Sequence, residues 1–156
     1  MIWKISAIDE YIDEIKTLFL QNINHKHADN YMKYPLFEHT KFARMGWNDD
    51  RKLVYYSAGI ERLEYNRSIR IMSRHTRDVN HDFGSWGDDL TRGTETLDLL
   101  TDTALDAGYT NIWFSREESP KMLEIFQKRS RYNWSINYEK LPIGGTQWVL
   151  RLTSTV

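Results

Sequence analysis

The 156-residue chain contains no cysteine, which excludes a disulfide framework, a thiolate nucleophile and any cysteine-based zinc site, and points to a reducing compartment. Proline is scarce: Pro35, Pro120 and Pro142 lie too far apart to mark a linker. No apolar run approaches the roughly 20 residues that cross a bilayer. The opening MIWKISAIDE turns acidic before a signal-peptide core can form, so no membrane partner is expected and a cytoplasmic location is. Charge of one sign is not in excess either, with 21 Lys+Arg against 22 Asp+Glu. That balance removes the global electrostatic argument for nucleic acid and leaves only local basic patches. His25 and His27 would diverge on a helix and have no third ligand at a zinc spacing, so metal binding is not expected. Ser57 and Ser115 lack the G-x-S-x-G setting of a hydrolase nucleophile.

What the chain does have is aromatic mass, 13% of residues with Trp 6 and Tyr 9, enough to furnish a substantial core. No repeat or low-complexity tract divides it, so residues 1–156 read as one domain. Ile2 to Ile8 alternates like a strand, and Ile12, Ile15, Leu18 and Phe19 then recur at helical spacing behind Asp9, a natural cap. From Asn24 to Phe42 no period holds. Phe42–Trp47 and Leu53–Ile60 flank the turn formers Asn48-Asp49-Asp50-Arg51 as a hairpin. A third strand, Ser68–Thr76, points Ile69 and Ile71 one way and Arg70, Met72 and Arg74 the other.

Arg77–Thr91 has no period and reads as a long loop, a natural place for a site. Thr94–Ala107 follows as a helix with Leu97, Leu100 and Ala104 on one face and Gly108 at its stop. Asn111–Ser115 is a short buried strand, parallel to its predecessor across that helix. Ser119 as N-cap with Pro120 at the first helical position opens another helix bearing Met122, Ile125 and Phe126. Tyr132–Glu139 and Thr146–Thr153 close the chain as an antiparallel pair.

In order, size and spacing this pattern resembles the GCN5-related N-acetyltransferase (GNAT) family from Trp3 to Leu152. The segment TETLDLLTDTALDAGYTNIWFSREESPKMLEIFQKRSRY is similar to that family's central helix, "GY-x-x-I" strand and following helix. The resemblance implies an α+β fold, a mixed and mostly antiparallel sheet of about six to seven strands flanked by helices. It also implies acetyl-CoA as cofactor and acetyl transfer to an amine on a small molecule or a macromolecule.

In the family, backbone amides of a glycine loop opening the central helix hold the cofactor's pyrophosphate, because orphan N–H groups and the helix dipole attract phosphate. The matching stretch is Arg92-Gly93-Thr94-Glu95, with Leu90 and Glu95 departing from the family pattern. A loop glycine before a helix is the structural alternative. The acetyl carbonyl is typically polarised from the strand before that loop, here Ser73 and Arg74, and the gap between this strand and the next admits the pantetheine arm.

Proton transfer needs a base and an acid. His75 and Glu117 lie where the family draws its base; Phe126 stands where a tyrosine often serves as acid, leaving Tyr132 as the nearest hydroxyl. Arg67, Arg70, Arg74 and Arg77 make the third strand basic, so Arg70, with Trp86 from the loop, would bind an anionic acceptor. The alternative function is an inactive GNAT-fold module that binds protein or nucleic acid through this strand, Lys121, Lys128, Arg129 and Arg131, and exposed rings such as Trp86 and Trp134.

Overall fold

The structure, a computed structural model, describes residues 1–21, 36–71, 75–76, 86–116, 120–142 and 145–153. The expected first strand is β1, Ile2–Ser6. Asp9 does not cap the helix that follows: Asp9–Tyr11 forms a turn of 3-10 helix continuing into α1, Ile12–Gln21, with Ile8 in the cap position. A carboxylate in that first turn still suits the helix dipole. Ile15 and Leu18, one helical step apart, are buried. A single turn, α2 (Leu36–His39), lies in the stretch without periodicity.

The hairpin is β2, Thr40–Trp47, and β3, Leu53–Arg62. The Asn48 side-chain oxygen accepts the Asp50 and Lys52 backbone N–H groups, each at 3.0 Å, and Arg51 takes a left-handed φ of 61°. The third strand forms as two pieces on β3: β4, Ser68–Ile71, and β5, His75–Thr76. Helix α3 spans Trp86–Asp106 and stops at Gly108, whose φ of 91° is that of a left-handed stop residue. It starts eight residues before the expected Thr94, so the end of the anticipated loop is helical. Then come β6, Asn111–Arg116, α4, Lys121–Arg129, β7, Trp134–Lys140, and β8, Thr146–Leu152. Pro120 takes the cap position of α4 rather than its first turn; Ser119 lies outside the described residues.

The sheet runs β1-β2-β3-β4-β6-β8-β7, with β5 also on β3, so β4 and β5 share one of seven lanes. Only β4 and β6 pair in parallel among the described residues, as a crossover through α3 requires. Alternation along the strands separates two faces. On one, Ile69, Ile71, Ile112, Phe114 and Leu150 meet Leu97 and Leu100 of α3 and Leu123 and Phe126 of α4. On the other, Ala43, Met45, Tyr56, Ala58 and Ile60 meet Ile15 and Leu18 of α1.

Candidate active site

The parallel seam is short. β4 and β6 pair at Ser68–Asn111, Ile69–Ile112 and Arg70–Trp113, and there it ends. β6 continues to Arg116, pairing with β8 on its other side, while β5 stays with β3 at Tyr55–Thr76 and Tyr56–His75. Among the described residues, the edge of Phe114–Arg116 that faces β4 has no ladder partner. This parting of the described ladders forms a fork, along which main-chain N–H and C=O groups are of the kind an inserted extended group can partner.

The fork's floor is apolar on the helix side. Phe126, 4% exposed, meets Phe114 edge-to-face with ring centroids 5.9 Å apart. No hydroxyl stands at this position of α4. On the opposite face, Arg70 donates from Nη2 to the Ser115 hydroxyl at 3.0 Å, a side-chain bond across the fork just past the last backbone pair. The guanidiniums of Arg70 and Arg151 both lie 5.4 Å from the buried Trp113 ring, whose Nε1 donates to Ser68. Arg151 is held by two nitrogens to the Glu139 carboxylate and by Nη1 to Asn111.

The expected pyrophosphate corner has a different structure. Arg92, Gly93, Thr94 and Glu95 lie within α3, the second turn and beyond, so their amides sit in the interior of the helix instead of at its start. Gly93 and Thr94 are buried. Beneath this part of α3, Arg44 of β2, only 5% exposed, donates to the Thr96 hydroxyl at 2.8 Å and lies 3.6 Å from the Glu95 carboxylate. Tyr55 shares the Thr96 hydroxyl, and the Arg44 and Arg92 guanidiniums stack on Trp3 at 4.3 and 5.9 Å. Gly46 makes room for that indole: a Cβ there would come within 2.7 Å of it.

Tyr132 is not at the fork. It lies beside the last turns of α3, at the other end of the sheet, where its hydroxyl donates to Asp102 and Arg131 also binds Asp102. Burial first, then the Asp102 carboxylate, pushes the phenol up to about 12. Ser130 donates to Asp98 and receives the Trp134 indole N–H, so Trp134, 5% exposed, is a core ring and not a surface one. His75 is placed by its backbone on β5, next to the fork, and Trp86 is the first residue of α3. Ser73, Arg74 and Glu117 lie outside the described residues. Sequence reasoning passed over Arg44 and weighed Ser115 only as a nucleophile; the alternation that buries Phe42 also turns Arg44 inward, a signal open to reading. Among the described residues no three His, Asp or Glu side chains gather as a metal site, and no helix is long and apolar enough to cross a membrane.

This architecture is that of the GNAT acetyltransferases. An aminoglycoside 6'-acetyltransferase type Ii superimposes with a TM-score of 0.63 at 13% identity, over 98% of this chain and 97% of that one. An acyl-CoA N-acyltransferase from Pseudomonas aeruginosa gives 0.60 at 16% identity, over 98% and 100%. The ribosomal-protein-S18-alanine N-acetyltransferase from Escherichia coli gives 0.58 at 14% identity, over 97% and 93%. No family model matches the sequence, and no curated protein matches it.

Proposed function

We propose that the chain is an acyl-CoA-dependent N-acyltransferase working in the cytoplasm, with acetyl-CoA as donor and an amine as acceptor. The observation that carries this reading is the fork: among the described residues β4 and β6 pair no further than Arg70 and Trp113, while β6 continues along β8 to Arg116. Its fit to the donor is uneven. The unpaired edge of Phe114–Arg116 and the apolar floor of Phe114 and Phe126 suit an extended arm bearing amides. The interior amides of Arg92–Glu95 do not suit a diphosphate; of that group, the Arg92 side chain offers the right charge.

When bound, acetyl-CoA supplies an acyl group activated by its thioester. The chemistry joins the amine nitrogen to the acyl carbon, breaks the carbon–sulfur bond, and moves one proton off nitrogen and one onto sulfur. His75, at the fork's β5 side, takes the amine proton in this reading, with Glu117 as the alternative base. Main-chain N–H groups at Ser73 and Arg74 would polarise the carbonyl. Phe126 brings no proton to the departing sulfur, and Tyr132, engaged by Asp102, is set aside, so water is the acid.

A second reading draws on the placement of Arg92–Glu95 inside α3: a GNAT-fold module without cofactor, binding nucleic acid through the exposed Lys121, Lys128 and Arg129 of α4. Arg131, engaged by Asp102, and the buried Trp134 leave that surface. Melting with acetyl-CoA separates the two. Ligand at 100 times its Kd adds about 2.7 kcal/mol of stability, and a rise in Tm of several degrees supports the transferase. An unmoved Tm at millimolar acetyl-CoA, with a salt-sensitive oligonucleotide gel shift, supports the module.

A further inference from the structure

We propose that β7 pairs with β7 of a second copy of this chain, joining two sheets edge to edge about a two-fold axis, whatever the fork binds. β7 is the last lane of the sheet, with β8 on one side and no strand of the described residues on the other. Two bonds at its ends fix the direction of its main-chain groups. Thr153 N–H donates to the Asn133 carbonyl and Leu141 N–H to the Gly145 carbonyl, each at 2.9 Å. With the unbroken register between them, these make the odd-numbered residues of β7 the hydrogen-bonded partners of β8. Trp134, Ile136, Tyr138 and Lys140 therefore aim their N–H and C=O groups outward. The Gln127 side chain takes the Trp134 carbonyl at 2.9 Å, in agreement with that direction. Among the described residues no hydrogen bond takes up the outward groups of Ile136, Tyr138 and Lys140.

The occupant is a second copy because the edge complements itself. Two-fold pairing centred on Asn137 sets Ile136 of each copy against Tyr138 of the other in hydrogen-bonded positions, and Asn137 against its twin in a non-hydrogen-bonded one. Isoleucine opposite tyrosine is a favourable cross-strand pair. Tyr138, 58% exposed, is backed by Trp148 with ring centroids 4.9 Å apart, so the pair extends an aromatic patch already at the edge. In the same register Glu139 meets Ser135 and Lys140 meets Trp134, so no like charges stand opposite one another. Centring on Glu139 would oppose two carboxylates. The far edge of the sheet differs: β1 carries the exposed Lys4 at its middle, the kind of charge that guards an edge against a twin.

The test is the mass in solution, read by sedimentation velocity up to about 0.2 mM chain, where a contact with Kd near 0.1 mM or tighter registers. The wild-type chain should pass from monomer to dimer as concentration rises. Tyr138→Pro removes an outward N–H and no bond to β8, and Tyr138→Lys keeps the backbone and sets a charge on the seam; each should give a monomer whose Tm stays close to wild type. Because the chain has no cysteine, single substitutions map the register. Asn137→Cys should yield a disulfide-linked dimer on mild oxidation, since a non-hydrogen-bonded pair brings Cα atoms to about 4.5 Å. Ser135→Cys, offset from its twin by about 13 Å along the strands, should not. A wild-type chain that stays monomeric throughout leaves the edge to a strand of another protein and overturns the second copy. A dimer that survives Tyr138→Lys, or that links more readily through Ser135→Cys than through Asn137→Cys, overturns the β7 seam.

Discussion

At the Asn111 end of β6, strands β4, β6 and β8 pair register by register, and Asp98 and Asp102 of α3 bind Ser130, Arg131 and Tyr132 after α4. At the Arg116 end no described rung joins β4 to β6, and the described link across the gap is a side-chain bond, Arg70 to Ser115. The same strands thus serve opposite purposes along their length. One end is tied by carboxylates whose partners come from a single turn; the other is where, in the proposed reading, a guest inserts.

The sharpest way to break that contrast is to remove the packing both ends share. Leu100→Ala, at a site with 0% exposure under the sheet, should lower stability by about 3 kcal/mol in urea unfolding, with a cavity left behind. Asp102→Asn strips the carboxylate from Tyr132 and Arg131 and should cost about 1–2 kcal/mol while leaving the acetyl-CoA shift in Tm in place. A loss of that shift would mean the two ends are coupled.

Alkaline pH probes the tied end without mutation. Tyr132 and Tyr109 both titrate at about 12 in the folded chain against an ordinary 10, raised by burial first and then by Asp102 and Glu61. Raised values mean that their contribution is complete below pH 10 and drains away as pH climbs toward about 12. Urea midpoints should fall through that window, less steeply in Tyr132→Phe; parallel curves would exclude the phenol as the cause.

Phe126→Tyr places a hydroxyl on the fork's floor. It should cost about 1 kcal/mol for a polar group among rings and raise turnover by giving the departing sulfur a proton source. A slower enzyme would show that the floor must stay dry. Smallest of all is Glu95→Gln, whose half-exposed pair with Arg44 is worth under about 0.5 kcal/mol. Acetyl-CoA affinity should stay within about twofold; a tenfold gain would return the diphosphate to that corner.

Most of the frame was legible in the residues. Ile12, Ile15 and Leu18, the Asn48–Arg51 turn, Gly108 and the apolar Ile112-Trp113-Phe114 run each carry a local cause for the element they form. The early start of α3 was harder to see. Gly87 disfavours helix, yet Asp88 and Asp89 suit a first turn and Leu90 stands seven residues before Leu97, in step with the buried stripe. The fork itself rests on where pairing between distant strands stops, which no local pattern encodes. Tyr132 misled because a hydroxyl near the right helix says nothing of which end of the sheet it reaches, and that depends on Asp102 thirty residues away.

The three-rung parallel seam also divides the molecule by history. β2 to β4 can zip as hairpins from neighbouring chain, and β7 with β8 likewise, whereas β1 reaches β2 only across α1, and the seam must wait for the whole length of α3 to bring Asn111 back to Ser68. Closure of so long a loop for so few hydrogen bonds places it late in folding. A joint that forms late is then the one beside which, in the proposed reading, a substrate arm would wedge.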